Sequence, residues 1–233
     1  AIRPDEEQLR TCFQDYFILY KPKAIVSGDF YWVGKKGDTI LCAVADCTGH
    51  GVPGAFMSLL GHNILENIIQ SSTDISPGAT LSTLNEEIVK RFSKGIERED
   101  VKHAMDIALI SMDVKKMELQ YAGAKNSLYL IREGVLIEIK ADKMSTGIIG
   151  KNKDFVQYTN HIKRINKGDV LYLFSDGFPD EKKKFFYQPF KELLVSIHQL
   201  PLNEQQKQLD LAITNWIGEN EQIDDILIMG ILC

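Results

Sequence analysis

Long apolar runs are missing from this chain. No stretch of about 18 apolar residues occurs, and the start has none of the charged, apolar and small-residue zones of a signal peptide. The expectation is a cytoplasmic domain, with any membrane anchor carried elsewhere in a longer protein. Cysteine is scarce and unpaired in spacing. Cys12, Cys42, Cys47 and Cys233 form no C-x-x-C, and Cys42 falls in an apolar run, so they read as reduced thiols rather than a disulfide frame or a zinc site. The five histidines show no H-E-x-x-H or paired ligand spacing. Basic residues are in deficit: a net charge of −5 argues against nucleic acid as a partner. No Pro-, Gly- or Ser-rich linker and no internal repeat divides the 233 residues, of which 44% are hydrophobic and 25% charged, as suits one compact domain.

What the chain does have is a set of acidic residues placed where strand-like runs meet turns: Asp29, Asp46, Asp176 and the pair Asp224-Asp225. Carboxylates at strand ends could meet at one edge of a sheet and hold hard divalent cations. Mg²⁺ and Mn²⁺ take oxygen ligands, and two such ions about 3.5–4 Å apart clamp the oxygens of a transferring phosphoryl group. Asp29 sits in the extended run Val26 to Val33, entered through Gly28. Asp46 ends the buried run Thr39 to Ala45 and opens Cys47-Thr48-Gly49-His50-Gly51-Val52-Pro53-Gly54, after which a helix begins. Pro53 suits a first helical position, and Phe56, Leu60, Ile64 and Ile68 form its apolar stripe.

Gly49 to Gly54 also satisfies G-x-G-x-x-G between a strand and a helix, the pattern of a dinucleotide-binding turn. That reading requires a second strand ending in an acidic residue about 20 residues on. The stretch from Glu66 to Ser72 continues the helix instead, which excludes it. Taken alone, Asp176-Gly177 fits a hairpin turn, and Asp224-Asp225 fits a solvated strand entry.

With Asp29 and the Asp46 to Gly51 segment both in view, the chain resembles the SpoIIE/RsbU-like branch of the PPM, or type 2C, metal-dependent serine/threonine phosphatases. The resemblance extends through Tyr121-Ala122-Gly123-Ala124, Leu171 to Glu181 and Asp224-Asp225-Ile226-Leu227-Ile228, in the family's order over nearly the whole chain. It implies two Mn²⁺ or Mg²⁺ ions, with Asp46 bridging both and Cys47 offering its backbone carbonyl. Asp176 would bind one ion and Asp224 the other, in preference to Asp225, while Asp29 would act mainly through metal-held water. The implied reaction is hydrolysis of a phosphoserine or phosphothreonine by direct attack of that water. His50 is a candidate proton donor to the leaving alkoxide, or else a residue that shapes the turn. The phosphate-gripping arginine of some relatives has no identifiable counterpart.

The resemblance further implies a bacterial signalling phosphoprotein as substrate, such as a STAS-domain anti-sigma-factor antagonist. It also implies a sensory domain upstream, with residues 1–14 as the end of its linker helix and lead-in to a phosphatase domain at 15–233, and the possibility of a homodimer. Two other readings stand beside it: a non-catalytic module that binds a phosphoprotein or effector, and a hydrolase of small phosphoesters.

Apolar periodicity predicts strands near 15–20, 25–33, 39–45, 104–112, 117–123, 127–131, 135–140, 155–160, 169–175 and 224–231, and helices at 53–70, 77–94, 188–198 and 204–218. The second helix is striped by Leu81, Leu84, Ile88 and Phe92, and the last is capped by Asn203 with Gln206 three residues on. Short turns favour antiparallel pairing. Two helix pairs around such strands fit an α+β fold, the four-layer αββα sandwich of the resembled family. The charged stretch Ser93 to Val101 and the run Lys182-Lys183-Lys184 read as solvated loops, with contact to a substrate or a second subunit as the functional alternative.

Overall fold

The computed structural model describes residues 4, 6–49, 51–92, 104–148, 156–180 and 187–233. Among these residues ten strands form two antiparallel five-stranded sheets. One carries β1 (Asp15–Lys21), β10 (Ile226–Leu232), β9 (Val170–Phe174), β6 (Leu128–Arg132) and β7 (Val135–Ile139), in that order. The other carries β2 (Phe30–Lys36), β3 (Thr39–Cys47), β4 (Met105–Asp113), β5 (Glu118–Ala124) and β8 (His161–Arg164).

The alternation of side chains along each strand gives each sheet two apolar faces. The inner faces meet through Val44, Ile110, Leu130, Leu171 and Met229, and the Cys42 thiol lies 3.3 Å from the Met229 sulfur across the gap. The outer face of the second sheet packs on helices α2 (Gly51–Ser71) and α3 (Pro77–Phe92), burying Leu41, Leu109, Ile64, Leu65, Leu81, Leu84 and Ile88. The outer face of the first packs on α4 (Gly177–Asp180), α5 (Tyr187–Ile197) and α6 (Leu202–Ile217) around Tyr172, Phe178, Phe190 and Leu209. The result is the expected αββα sandwich. The short helix α1 (Glu6–Cys12), within the expected lead-in, sends Leu9 and, just past its end, Phe13 into the core between the sheets.

Several local expectations are corrected. The strand foreseen at 25–33 begins only at Phe30, because the backbone N–H groups of Lys23 and Gly28 are given to the Asp225 carboxylate and that of Asp29 to the Ser27 hydroxyl. No strand forms over 156–160. The N–H of Tyr158 goes to Ser82 Oγ and that of Thr159 to Asp142 Oδ2, so a sheet ladder has nothing to pair with until β8.

Asn203 does not cap α6. The helix starts at Leu202 after Pro201, and the Gln206 amide donates to the Ile18 carbonyl instead of returning to a cap. The stripe of α2 is also rotated from expectation. Its buried face is Met57, Gly61, Ile64, Leu65 and Ile68, and Phe56 stands 75% exposed. Gly61 lies on that buried face, where a Cβ would stand 2.2 Å from the Met105 methyl. The stretch 93–101, the lysines at 182–184 and His50 lie outside the described residues. Among those described, no helix is long and apolar enough to cross a membrane.

Candidate metal centre

The acidic residues come from both sheets to one end of the sandwich. Asp29 immediately precedes β2, and Asp46 is the penultimate residue of β3. With Phe30 opposite Ala45, the antiparallel register brings these two strand ends side by side. In the other sheet Asp176 follows β9, and Asp224-Asp225 precede β10, the neighbour of β9.

Backbone segments meet here in two places without intervening side chains. A Cβ on Gly54 would stand 1.9 Å from the Gly49 carbonyl oxygen, and one on Gly28 would stand 3.0 Å from that of Cys47. A Cβ on Gly177 would stand 1.8 Å from the Asp225 carbonyl oxygen. Gly28 and Gly54 let the Asp29 loop and the Asp46 loop close on each other, and Gly177 lets the Asp176 turn close on the Asp225 segment. Asp176 therefore leads into the helical turn α4, which settles the choice against a hairpin at Asp176-Gly177.

Asp29 and Asp46 share a raised proton affinity for a common reason. Burial holds the Asp29 carboxyl well above the ordinary carboxylate range, a hydrogen bond from Ser175 opposes it, and Asp225, Asp224 and Asp176 add to it. Burial, then Asp29 and Asp176, push Asp46 up to about 10, and Asp46 hydrogen-bonds Asp176. A hydrogen bond between two carboxyl groups requires a proton between them. Asp29 Oδ2 is buried with no hydrogen-bond partner among the described residues. Like charges confined in this way demand either protons or cations, so the donor set fits hard divalent ions. As the side chains stand, no three acidic, histidine or cysteine groups among the described residues already form a ligating arrangement.

The Asp224-Asp225 pair divides by contact. Asp225 is 3% exposed, and its Oδ1 accepts the Lys23 N–H at 2.8 Å while Oδ2 accepts the Gly28 N–H at 2.9 Å. Both of its oxygens are committed to holding the loop that presents Asp29. Asp224 is exposed and lines a cavity of about 380 Å³ together with Asp46, Cys47, Thr48, Gly49, Asp106 and Lys125. A larger groove of about 700 Å³, bordered by Glu6, Arg10, Phe13, Tyr16 and Gln206, contains none of the clustered acids.

Three residues at this end have no role in the sequence reading. Ser175 accepts the Leu227 N–H at 3.0 Å and hydrogen-bonds Asp29, tying the two sheets together. Its position beside Asp176 in the quoted motif was the available signal. Asp106 pairs in register with Asp46 across β3 and β4, and Lys125 ion-pairs with Asp106 at 3.2 Å. Neither carries a spacing pattern that would single it out.

The SpoIIE family model, described as stage II sporulation protein E, matches residues 36–231. Phosphoserine phosphatase RsbU of Bacillus subtilis (strain 168) is 25% identical over 202 residues, covering 84% of this chain and 54% of RsbU, so the chain spans about half the length of that relative. The SiaA-PP2C domain of Pseudomonas aeruginosa superposes with a TM-score of 0.86 at 30% identity, covering 100% of this chain and 92% of that domain. The PP2C phosphatase domain of SpoIIE from Bacillus subtilis, solved with a fragment of its regulatory domain, shares the fold at a TM-score of 0.79 and 17% identity, covering 94% of this chain and 63% of that one. The chain thus belongs to the SpoIIE family of PP2C-type serine/threonine phosphatases.

Proposed function

We propose that this chain hydrolyses a phosphoserine or phosphothreonine on a signalling protein with the help of two divalent cations, Mn²⁺ or Mg²⁺, held by the carboxylate cluster. The observation that carries this is the convergence of Asp29, Asp46, Asp176 and Asp224 from two sheets, with burial and mutual repulsion raising the proton affinity of Asp29 and Asp46. Asp46 with the Cys47 carbonyl would serve both ions, Asp176 one and Asp224 the other. Bound cations would supply Lewis acidity toward water and the phosphoryl oxygens.

The chain's own residues do the positioning. Asp225 fixes the loop before Asp29 through two backbone N–H groups, and Ser175 orients the Asp29 carboxylate. Asp29 Oδ2, buried and without a hydrogen-bond partner among the described residues, would be the acceptor for the attacking water once cations are bound. Water attacks phosphorus as the bond to the serine or threonine oxygen breaks, and the alkoxide takes a proton on leaving. His50 remains the candidate donor of that proton.

The proposed substrate class rests on likeness to the family. RsbU is named a phosphoserine phosphatase, which supports a phosphoprotein substrate here, with a STAS-domain antagonist of an anti-sigma factor as the proposed partner. The competing small-phosphoester reading is tested by comparing turnover of a phosphoserine peptide and of a nucleotide in Mn²⁺. Higher kcat/KM on the peptide is expected, and preference for the nucleotide would overturn the protein-phosphatase assignment.

A further inference from the structure

The cavity beside the carboxylate cluster is lined by Asp46, Asp106 and Asp224, and its one cationic lining residue among those described is Lys125. A phosphate monoester is a dianion, so acids alone would repel it, and a cation on the cavity wall has an electrostatic reason to be there. We infer that Lys125 is a substrate-binding residue that donates from Nζ to the non-bridging oxygens of the phosphoryl group. The inference rests on the phosphatase reading above.

The backbone supports it. Lys125 has φ of 60°, in the left-handed region that L side chains rarely adopt and that glycine or asparagine would occupy with less strain. The turn is held from several sides. The Lys125 N–H donates to the Asp142 carbonyl at 2.8 Å, the Asp142 N–H to the Gly123 carbonyl at 2.9 Å, and the Tyr121 hydroxyl to the Asn126 carbonyl at 2.6 Å. Gly123 makes room, since a Cβ there would lie 2.0 Å from the Tyr121 hydroxyl. A rigid turn thus presents a strained lysine at the cavity wall. The ion pair with Asp106 at 3.2 Å steers its ammonium while leaving the side chain 50% exposed and able to reach a ligand. Lysine binds phosphate as a point charge, without the bidentate fork of an arginine.

The bland alternative is that Lys125 only neutralises Asp106, which stands opposite Asp46 in the ladder. Comparing D106N with D106N/K125A separates the two, because Asp106 is already neutral in both. The measurements are KM and kcat for a phosphoserine peptide in Mn²⁺, and calorimetric binding of the same peptide carrying a non-hydrolysable phosphonate. Loss of a charge-assisted hydrogen bond is expected to raise KM and the phosphonate Kd about tenfold or more, with a smaller change in kcat, and K125R is expected to retain affinity.

Equal KM and Kd in D106N and D106N/K125A would overturn the assignment. A parent chain that binds the phosphonate through Lys125 without hydrolysing the peptide would leave it standing and remove the phosphatase reading. A parent chain that neither binds nor hydrolyses would remove both.

Discussion

Asp225 Oδ2 accepts the backbone N–H of Gly28 at 2.9 Å, joining segments 197 residues apart in the chain. The same carboxylate takes the N–H of Lys23, so it stabilises the loop that carries Asp29 instead of facing the cavity. Asp225→Ala is expected to cost about 2–4 kcal/mol, the worth of two charge-assisted bonds whose donors are left unsatisfied. Urea denaturation of D225A and D224A checks it: D224A, which changes an exposed side chain, is expected to unfold within about 1 kcal/mol of the parent.

Leu84 and Ile88 are both fully buried between α3 and the second sheet. Leu84→Ala is expected to cost about 2–5 kcal/mol, and glutamate at both positions to abolish the folded state. Circular dichroism of the double variant reads this directly. A folded double variant that has merely lost self-association would show that the two residues face a partner.

The turn at Gly177 has no room for a methyl group, since a Cβ would fall 1.8 Å from the Asp225 carbonyl oxygen. Gly177→Ala is therefore expected to cost about 1–3 kcal/mol and to weaken Mn²⁺ binding, by displacing Asp176 from the Asp225 segment. Calorimetric Mn²⁺ titration of G177A at a temperature where it stays folded separates the two effects. Unchanged affinity and stability would mean the two segments do not press together.

In the metal-free protein, stability is expected to depend on pH with an unusual sign. Asp46 moves from an ordinary 3.8 to about 10 on folding. Between those values the folded chain keeps a proton that the unfolded chain releases, so this contribution is fully present below the lower value and is lost as pH rises toward the upper one. With a chelator present, the urea midpoint should fall from about pH 5 to about pH 9, and Asp46→Asn should flatten that slope. A midpoint that rises over the same range would contradict the clustering of these carboxylates.

The legible parts of the fold were those with a strong local period. β3, β4 and the Leu81–Leu84–Ile88 stripe of α3 follow from apolar runs that face one core each. Phe56 misled because α2 turns Met57, Gly61, Ile64, Leu65 and Ile68 to the sheet, with Gly61 closely packed on Met105 from a distant segment. The stretch 156–160 misled because side chains of Ser82 and Asp142 take its backbone donors. The site shows the same division. Asp29, Asp46, Asp176 and Asp224 were visible as acids at strand ends, whereas the commitment of both Asp225 oxygens to the Lys23 and Gly28 N–H groups was not. Ser175 stood beside Asp176 in the motif, but Asp106 and Lys125 gained meaning only from pairing between strands and from a turn geometry that no spacing encodes.

The central claim is that the clustered aspartates hold the cations that drive phosphoester hydrolysis. It is tested most directly by measuring phosphoserine-peptide hydrolysis with and without millimolar Mn²⁺ in the parent chain and in D46N and D176N variants shown to be folded. The account predicts turnover that requires Mn²⁺ and falls at least about a hundredfold in both variants. Turnover independent of added metal, or unchanged in folded D46N, would contradict it.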